Sequence, residues 1–394
     1  MKKKIVIVVH TDYPWTEGMS YRVHSMASFL SNDYDVTVVS PVLEGSFPQG
    51  LEVAGQYKIC RLKIGFVEKV KTNRVLYRLL FVFLFALSMI KTQRYFTHRQ
   101  EIKLVQVEQQ LALLPGIVLG FLWGKPIIVD DVLSPQRYYK EHSKLFKFLA
   151  YVFERFLLRR CRLIIGSHSE AVKTIHEHYN FPISKLCTIP NGVDVKPFVD
   201  LEDTLKEKSK DVIFIGSMYS EQNRGAIRNL IRIFPSICEK VRDAQLVIIG
   251  GPLFLLREVV DSVDQKNLHN RNMSILGRIS EVDKKKYLKR ACVCVLPYDS
   301  RDRLIGGARL KALEFLSYGK VVVSTSTGVE GIDGAISGEN MIITDDLESF
   351  KDHVVKVLKH PEKYERIRKN AIELANKYHW DSILPNYGGI IKSI

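Results

Sequence analysis

Short runs dominated by aliphatic residues recur along this chain: Ile5 to Val9, Val36 to Val39, Leu104 to Val107, Ile127 to Val129 and Leu163 to Gly166. After a break they resume at Val212 to Ile215, Leu246 to Ile249, Met273 to Leu276, Cys292 to Leu296 and Val321 to Val323. A strand with one wet face alternates apolar and polar residues. Runs without that alternation need cover on both faces, which parallel sheets receive from flanking helices. Helical spacing fills many of the gaps, as at Ser20 to Leu30, Leu145 to Leu158, Ile227 to Phe234 and Val282 to Arg290. The alternation predicts an α/β chain of doubly wound sheets, whose ligands lie beyond the carboxyl ends of the strands.

With 394 residues the chain is long enough for two domains, each with its own core. We expect a first domain over 1–195, a polar linker over 196–210 and a second domain over 211–370. A closing segment, 371–394, is expected to cross back to the first. The turn Pro190-Asn191-Gly192 ends the first domain. Six cysteines (60, 161, 187, 238, 292 and 294) form no C-x-x-C pair, so they read as reduced thiols of a cytosolic protein. The start, MKKKIVIVVH, has too short an apolar run for a signal peptide and reads as a first strand.

The net charge is +15, and two stretches carry most of it. Lys71 to Lys103 has seven basic residues and one acidic, and Arg137 to Arg162 has eight and two. Both also hold strongly apolar runs, which nucleic-acid patches lack, so the partner expected is an anionic membrane surface and not nucleic acid. Leu79 to Ile90 is twelve residues, short of the roughly 20 that span a bilayer. It fits either a buried core helix or a helix lying in the interface.

The chemistry is expected between Ser300 and Gly331. A glycine pair, Gly306-Gly307, precedes a short helical pattern stopped by Gly319, and the strand Val321 to Val323 follows. On a helix Gly307, Lys311 and Glu314 fall within roughly 60° of one another. A helix start bearing glycines suits a phosphate, and a carboxylate about 10 Å further along suits a ribose diol. A solvated helix face hinged at glycine is the plainer alternative. Asp130-Asp131 close the strand at Ile127, where they either contact a sugar or an acceptor hydroxyl, or cap the next segment.

Lys311, Leu313-Glu314, Gly319-Lys320-Val321-Val322, Thr325 and Gly328 resemble the donor-binding segment of retaining glycosyltransferases of the GT-B fold, glycosyltransferase family 4. The run Ile189 to Asp194, IPNGVD, is another specific match. The family pattern puts a first glutamate eight residues before Glu314, where this chain has Gly306, and a histidine after the Ile127 strand, near Val132, where none stands. The resemblance implies two Rossmann-like domains about a cleft and a donor, UDP- or GDP-linked, held by the second. It also implies retention of anomeric configuration, no cofactor and no obligatory metal.

Carried onto this chain, the donor would meet Gly18, Gly216, Arg224, Gly250, Arg278, Gly306, Gly307, Arg309, Lys311 and Glu314. Lys311 would neutralise the leaving diphosphate, and Asp130 or Asp131 would act at the transferred sugar. The acceptor expected is lipid-linked or a cell-envelope glycan, and the enzyme is expected to be cytoplasmic, peripheral on the inner face of the cell membrane. Rival readings are a soluble epimerase or phosphorylase of the same fold, and a non-catalytic scaffold at a membrane.

Overall fold

The computed structural model describes residues 2–11, 13, 18–42, 49–64, 74–96, 98–130, 132, 143–193, 209–263, 272–302 and 310–394. By its internal contacts the chain divides into two compact units. One comprises Met1–Asn191 with Ile383–Ile394, and the other Gly192–Leu304 with Ala308–Ser382. The division falls just ahead of residue 195, and 371–382 stay with the second unit. Most of the expected linker lies outside the described residues.

The first unit is built on an eight-stranded sheet in the order β3-β4-β2-β1-β5-β6-β7-β8. The strands are β1 (Lys4–Val8), β2 (Asp35–Val42), β3 (Gly50–Ala54), β4 (Tyr57–Lys63), β5 (Ile102–Glu108), β6 (Ile127–Asp130), β7 (Leu163–Gly166) and β8 (Leu186–Thr188). All pair in parallel except β3, which runs antiparallel to β4 on the edge. Ile5 to Val8 have no solvent-exposed surface on either pleat face, as their lack of alternation requires; Val105 to Val107 are equally buried, the polar Gln106 included. The helices are α1 (Gly18–Leu30), α2 (Arg74–Thr92), α3 (Leu113–Trp123), α4 (Lys144–Leu158) and α5 (Ser169–Tyr179). Ser143 caps α4 by accepting from the Phe146 N–H, and His168 caps α5 by accepting from that of Ala171. His168 is thereby a capping residue at the end of a strand-to-helix turn.

The second unit has a fully parallel six-stranded sheet, β11-β10-β9-β12-β13-β14. Its strands are β9 (Asp211–Ile215), β10 (Gln245–Ile249), β11 (Met273–Leu276), β12 (Val293–Leu296), β13 (Val321–Ser324) and β14 (Ile342–Ile343). Around it pack α6 (Glu221–Lys240), α7 (Leu253–Val263), α8 (Glu281–Arg290), α9 (Leu310–Ser317), α10 (Leu347–Lys359) and α11 (Glu365–Lys377). Ser220, Ser280 and Asp346 cap α6, α8 and α10. Beyond α9, Gly319 takes φ +60°, the left-handed conformation that ends a helix at little steric cost. The chain closes with α12 (Trp380–Ser393).

Strand order reverses beside β1 and again beside β9, the switch points of doubly wound sheets. None of the six cysteines is paired. Burial pushes the Cys60, Cys161, Cys187 and Cys294 thiols up to about 12, so they stay protonated. Among the described residues no helix is long and apolar enough to cross a membrane.

Candidate functional site

The carboxyl ends of β9, β10 and β11 run into Gly216, Gly250-Gly251 and Gly277. Bare backbone there brings neighbouring turns very close. A Cβ on Gly250 would lie 1.8 Å from the Gly216 carbonyl oxygen, and one on Gly216 would lie 2.8 Å from Lys311 Nζ. Lys311, in the first turn of α9, reaches this place. Its ammonium donates to Asn223 Oδ1 at 2.8 Å and to the Tyr298 hydroxyl at 2.8 Å. It also lies 5.1 Å from the centre of the Phe214 ring, within cation–π range.

Each of these partners is fixed from elsewhere. Asn223 Nδ2 donates to the Ser217 carbonyl, and the buried Tyr298 hydroxyl donates to Asn223 Oδ1. Four segments therefore converge on one ammonium: the ends of β9 and β12, the first turn of α6, and α9. Glu314, one turn along α9, accepts from Lys284 at 2.8 Å. Burial works against charge on Lys284, but Glu314 and Glu281 outweigh it and hold its pKa above the usual lysine value.

Arg224 is turned to its own helix start. It pairs with Glu221 and donates to the Met218 carbonyl, so its guanidinium is occupied locally. Arg278 is exposed beyond β11, with its backbone N 3.4 Å from the position of a Gly251 Cβ. Gly18 opens α1 in the first unit. Gly306, Gly307, Arg309 and Asp131 lie outside the described residues.

The end of the first unit's sheet is closed by a polar network. Arg22, on α1, and Asp130, ending β6, have side chains only 1% and 0% exposed. Arg22 Nε and Nη2 bond the two Asp130 oxygens at 2.8 and 2.7 Å. Its remaining hydrogen bonds go to Ile189 O, Pro190 O and Asn191 Oδ1. Five bonds match the five N–H groups of a guanidinium. Both Asp130 oxygens are taken and none of its side-chain surface is open; through Arg22 it ties α1 to the carbonyls of Ile189 and Pro190. Beside it, Glu108 accepts from Gln106, which in turn accepts from Tyr387 of α12. Burial pushes His10 down to about 4, so its ring is neutral near pH 7.

The family model described as Glycosyltransferase Family 4 matches residues 16–196, and that described as Glycosyl transferases group 1 matches 209–360. Between them they take in every strand of both sheets except β1. The chain belongs to the family 4, group 1 glycosyltransferases.

Solved structures share the fold over the whole length. Sucrose-phosphate synthase from Thermosynechococcus elongatus superposes with a TM-score of 0.75 at 16% identity, covering 100% of this chain and 99% of its own. Anabaena HepE in complex with UDP-glucose gives 0.70 at 15%, covering 100% of both chains. The lipopolysaccharide outer core galactosyltransferase WaaB gives 0.67 at 13%, covering 99% of both. No curated protein gives a sequence match.

In this glycosyltransferase, then, the two α/β units are those of the GT-B fold. Of the residues expected from the family pattern, the structure brings together Gly216, Gly250 and Lys311, with Glu314 one turn away. Sequence reasoning missed Asn223, Tyr298 and Phe214. Tyr298 carried a usable signal, since a hydroxyl two residues past a strand's carboxyl end stands where α/β folds place ligand groups.

Proposed function

We propose that this glycosyltransferase moves a hexosyl group from a UDP- or GDP-linked sugar, held by the second unit, to a lipid-linked or cell-envelope glycan acceptor with retention of configuration. The reading rests above all on one observation: the Lys311 ammonium is fixed at the glycine-lined ends of β9 and β10 by Asn223 and Tyr298. A cation held in advance beside bare backbone suits a diphosphate leaving group, whose developing charge must be met at once. Lys311 is the proposed catalytic cation. Gly216, Gly250 and Arg278 line the donor, and Glu314 receives the ribose diol once Lys284 yields one of its oxygens. Gly306, Gly307 and Arg309 remain assigned to the diphosphate by the family pattern.

No metal is required in this scheme, and the enzyme is placed at the inner face of the cell membrane. HepE's complex with UDP-glucose makes UDP the first nucleotide to try. Calorimetric titration of the purified chain with UDP, GDP and their sugars tests donor binding, and NMR of the product sugar tests retention. Absence of binding by any nucleotide sugar, or an inverted anomer, refutes the corresponding part. Activity should persist in a chelator; loss on chelation with recovery on adding a divalent ion refutes metal independence.

A further inference from the structure

Three neighbouring helices of the first unit have large apolar side chains facing solvent. On α2 they are Leu79, Phe83, Leu87 and Ile90, spaced four, four and three residues apart. The opposite face, with Phe81, Phe85 and Met89, is buried in the core. A single helix therefore has two apolar faces, of which only one is used by the fold. On α4 the exposed set is Leu145, Phe148, Leu149, Val152, Phe153 and Phe156, again one stripe at helical spacing. These ten side chains are between 46 and 69% exposed. Phe121, at the end of α3, adds to them.

Topology joins the stripes. The connections β4 to β5, β5 to β6 and β6 to β7 all advance in one direction across the sheet. Right-handed crossovers then put α2, α3 and α4 on the same face of it. The helices pack side by side, α2 against α3 and α3 against α4, so their outward sides form one surface. An exposed apolar surface of this extent marks an interaction site.

Charge decides the partner. From Lys144 to Arg162 the only acid is Glu154, which is buried and hydrogen-bonded to Tyr179. Lys144, Lys147, Arg159, Arg160 and Arg162 are exposed, and the Arg160 guanidinium lies over the Phe156 ring at 3.6 Å. Lys91 and Arg94 stand at the end of α2, also exposed. A second copy docking on this face would set cations against cations, because a two-fold contact pairs a patch with itself. An anionic bilayer satisfies both halves of the surface. Lipid phosphates meet the cations while the aliphatic and aromatic stripes enter the headgroup boundary.

We propose that the α2–α3–α4 face lies on an anionic lipid surface, with α4 parallel to the membrane plane. This deepens the membrane location proposed above, and its test is independent of transfer. A chain that binds nucleotide sugar but not vesicles keeps the transferase reading and loses this one; a chain that binds vesicles but no nucleotide does the reverse.

The experiment is co-sedimentation of the full chain with phosphatidylcholine vesicles, with and without phosphatidylglycerol, at low and high salt. The expected result is binding that needs the anionic lipid and is only partly released by salt, since the apolar share is not screened. Arg159→Glu, Arg160→Glu and Arg162→Glu together should weaken it by at least about a hundredfold, from roughly 1 kcal/mol per basic residue. Phe148→Ser with Phe156→Ser should leave a residual binding that high salt abolishes. All five side chains are on the surface, so unchanged melting certifies the fold. A wild-type chain that stays in the supernatant with both vesicle types, or a dimer formed through this face, overturns the proposal. So do variants that pellet like wild type.

Discussion

Asp130→Asn separates a structural carboxylate from a catalytic one. The change keeps the shape of the side chain but leaves one oxygen where there were two, and puts an NH2 group opposite an Arg22 N–H. At least one of the bonds at 2.7 and 2.8 Å is lost, and the guanidinium, 1% exposed, keeps its charge without the countercharge. Breaking one side of a buried pair costs about 3–5 kcal/mol, mainly for the ion left behind. For a unit of this size each kcal/mol lowers the melting point by about 2–4 °C, so scanning calorimetry should show the first unit's transition fall by roughly 6–20 °C. Two compact units need not melt together, and the second transition should stay in place. Replacing both partners, Arg22→Met with Asp130→Leu, should be milder than Asp130→Asn alone, because no charge is then stranded. If Asp130→Asn abolishes turnover and leaves both transitions unmoved, the reasoning is wrong and Asp130 acts on substrate.

Other outcomes follow from the same geometry. Lys311→Met should weaken nucleotide-sugar binding by about 10- to 150-fold, the worth of one hydrogen bond to a charged group at about 1.5–3 kcal/mol; equal affinity in a titration would remove Lys311 from the site. Glu314→Gln should cost at least about tenfold in donor affinity with the fold intact, and unchanged nucleotide binding would show that its bond to Lys284 is its whole role. Because the folded-state pKa of His10 is about 4 against 6.5, the unfolded chain takes up that proton first and stability drains away as pH falls from 6.5 to 4. His10→Gln should flatten that stretch of the melting-point profile, and an unaltered profile would mean that His10 titrates normally.

The strands covered on both faces were legible because parallel sheets leave little choice of residue. β3 and β4 were not. β4 carries Lys58 and Arg61, which in sequence look like surface charges. In the fold Lys58 pairs with Asp35, while Arg61 is buried, pairing with Glu52 and donating to the Tyr13 carbonyl. Arg22 misleads in the same way: on α1 it reads as part of a wet helical face, and its partner is 108 residues further along. The strand-end rule drew attention to Asp130 but could not say whether its oxygens would be open. α2 also fell between two expectations. Its Leu79 to Ile90 run was readable as core or as interface, and the structure uses one face for the core and leaves the other exposed. Lys311 was singled out by its helix position, but its partners Asn223 and Tyr298 are 88 and 13 residues away. Only the folded sheet brings them together.

Two glycines at the end of the second sheet give the sharpest contrast, because one added methyl group acts differently at each. At Gly250 the new carbon would lie 1.8 Å from the Gly216 carbonyl oxygen. That obstacle is backbone and cannot swing aside, so Gly250→Ala must push β9 and β10 apart and lower the melting point of the second unit. At Gly216 the nearest atoms are Asn223 Cγ and Lys311 Nζ, each 2.8 Å away. A lysine end can withdraw through its own rotamers, at a cost of about 0.5–1.5 kcal/mol. Asn223, held by the Ser217 carbonyl, must also give way, so Gly216→Ala should melt below wild type but above Gly250→Ala, while the Lys311 ammonium stands off Asn223 and Tyr298 and nucleotide-sugar affinity falls toward that of Lys311→Met. Combined with Lys311→Met it should cost little more in affinity, since both changes remove the same contact. If Gly216→Ala binds nucleotide as wild type does, the position of the Lys311 ammonium is immaterial to the donor, and the diphosphate must be held elsewhere.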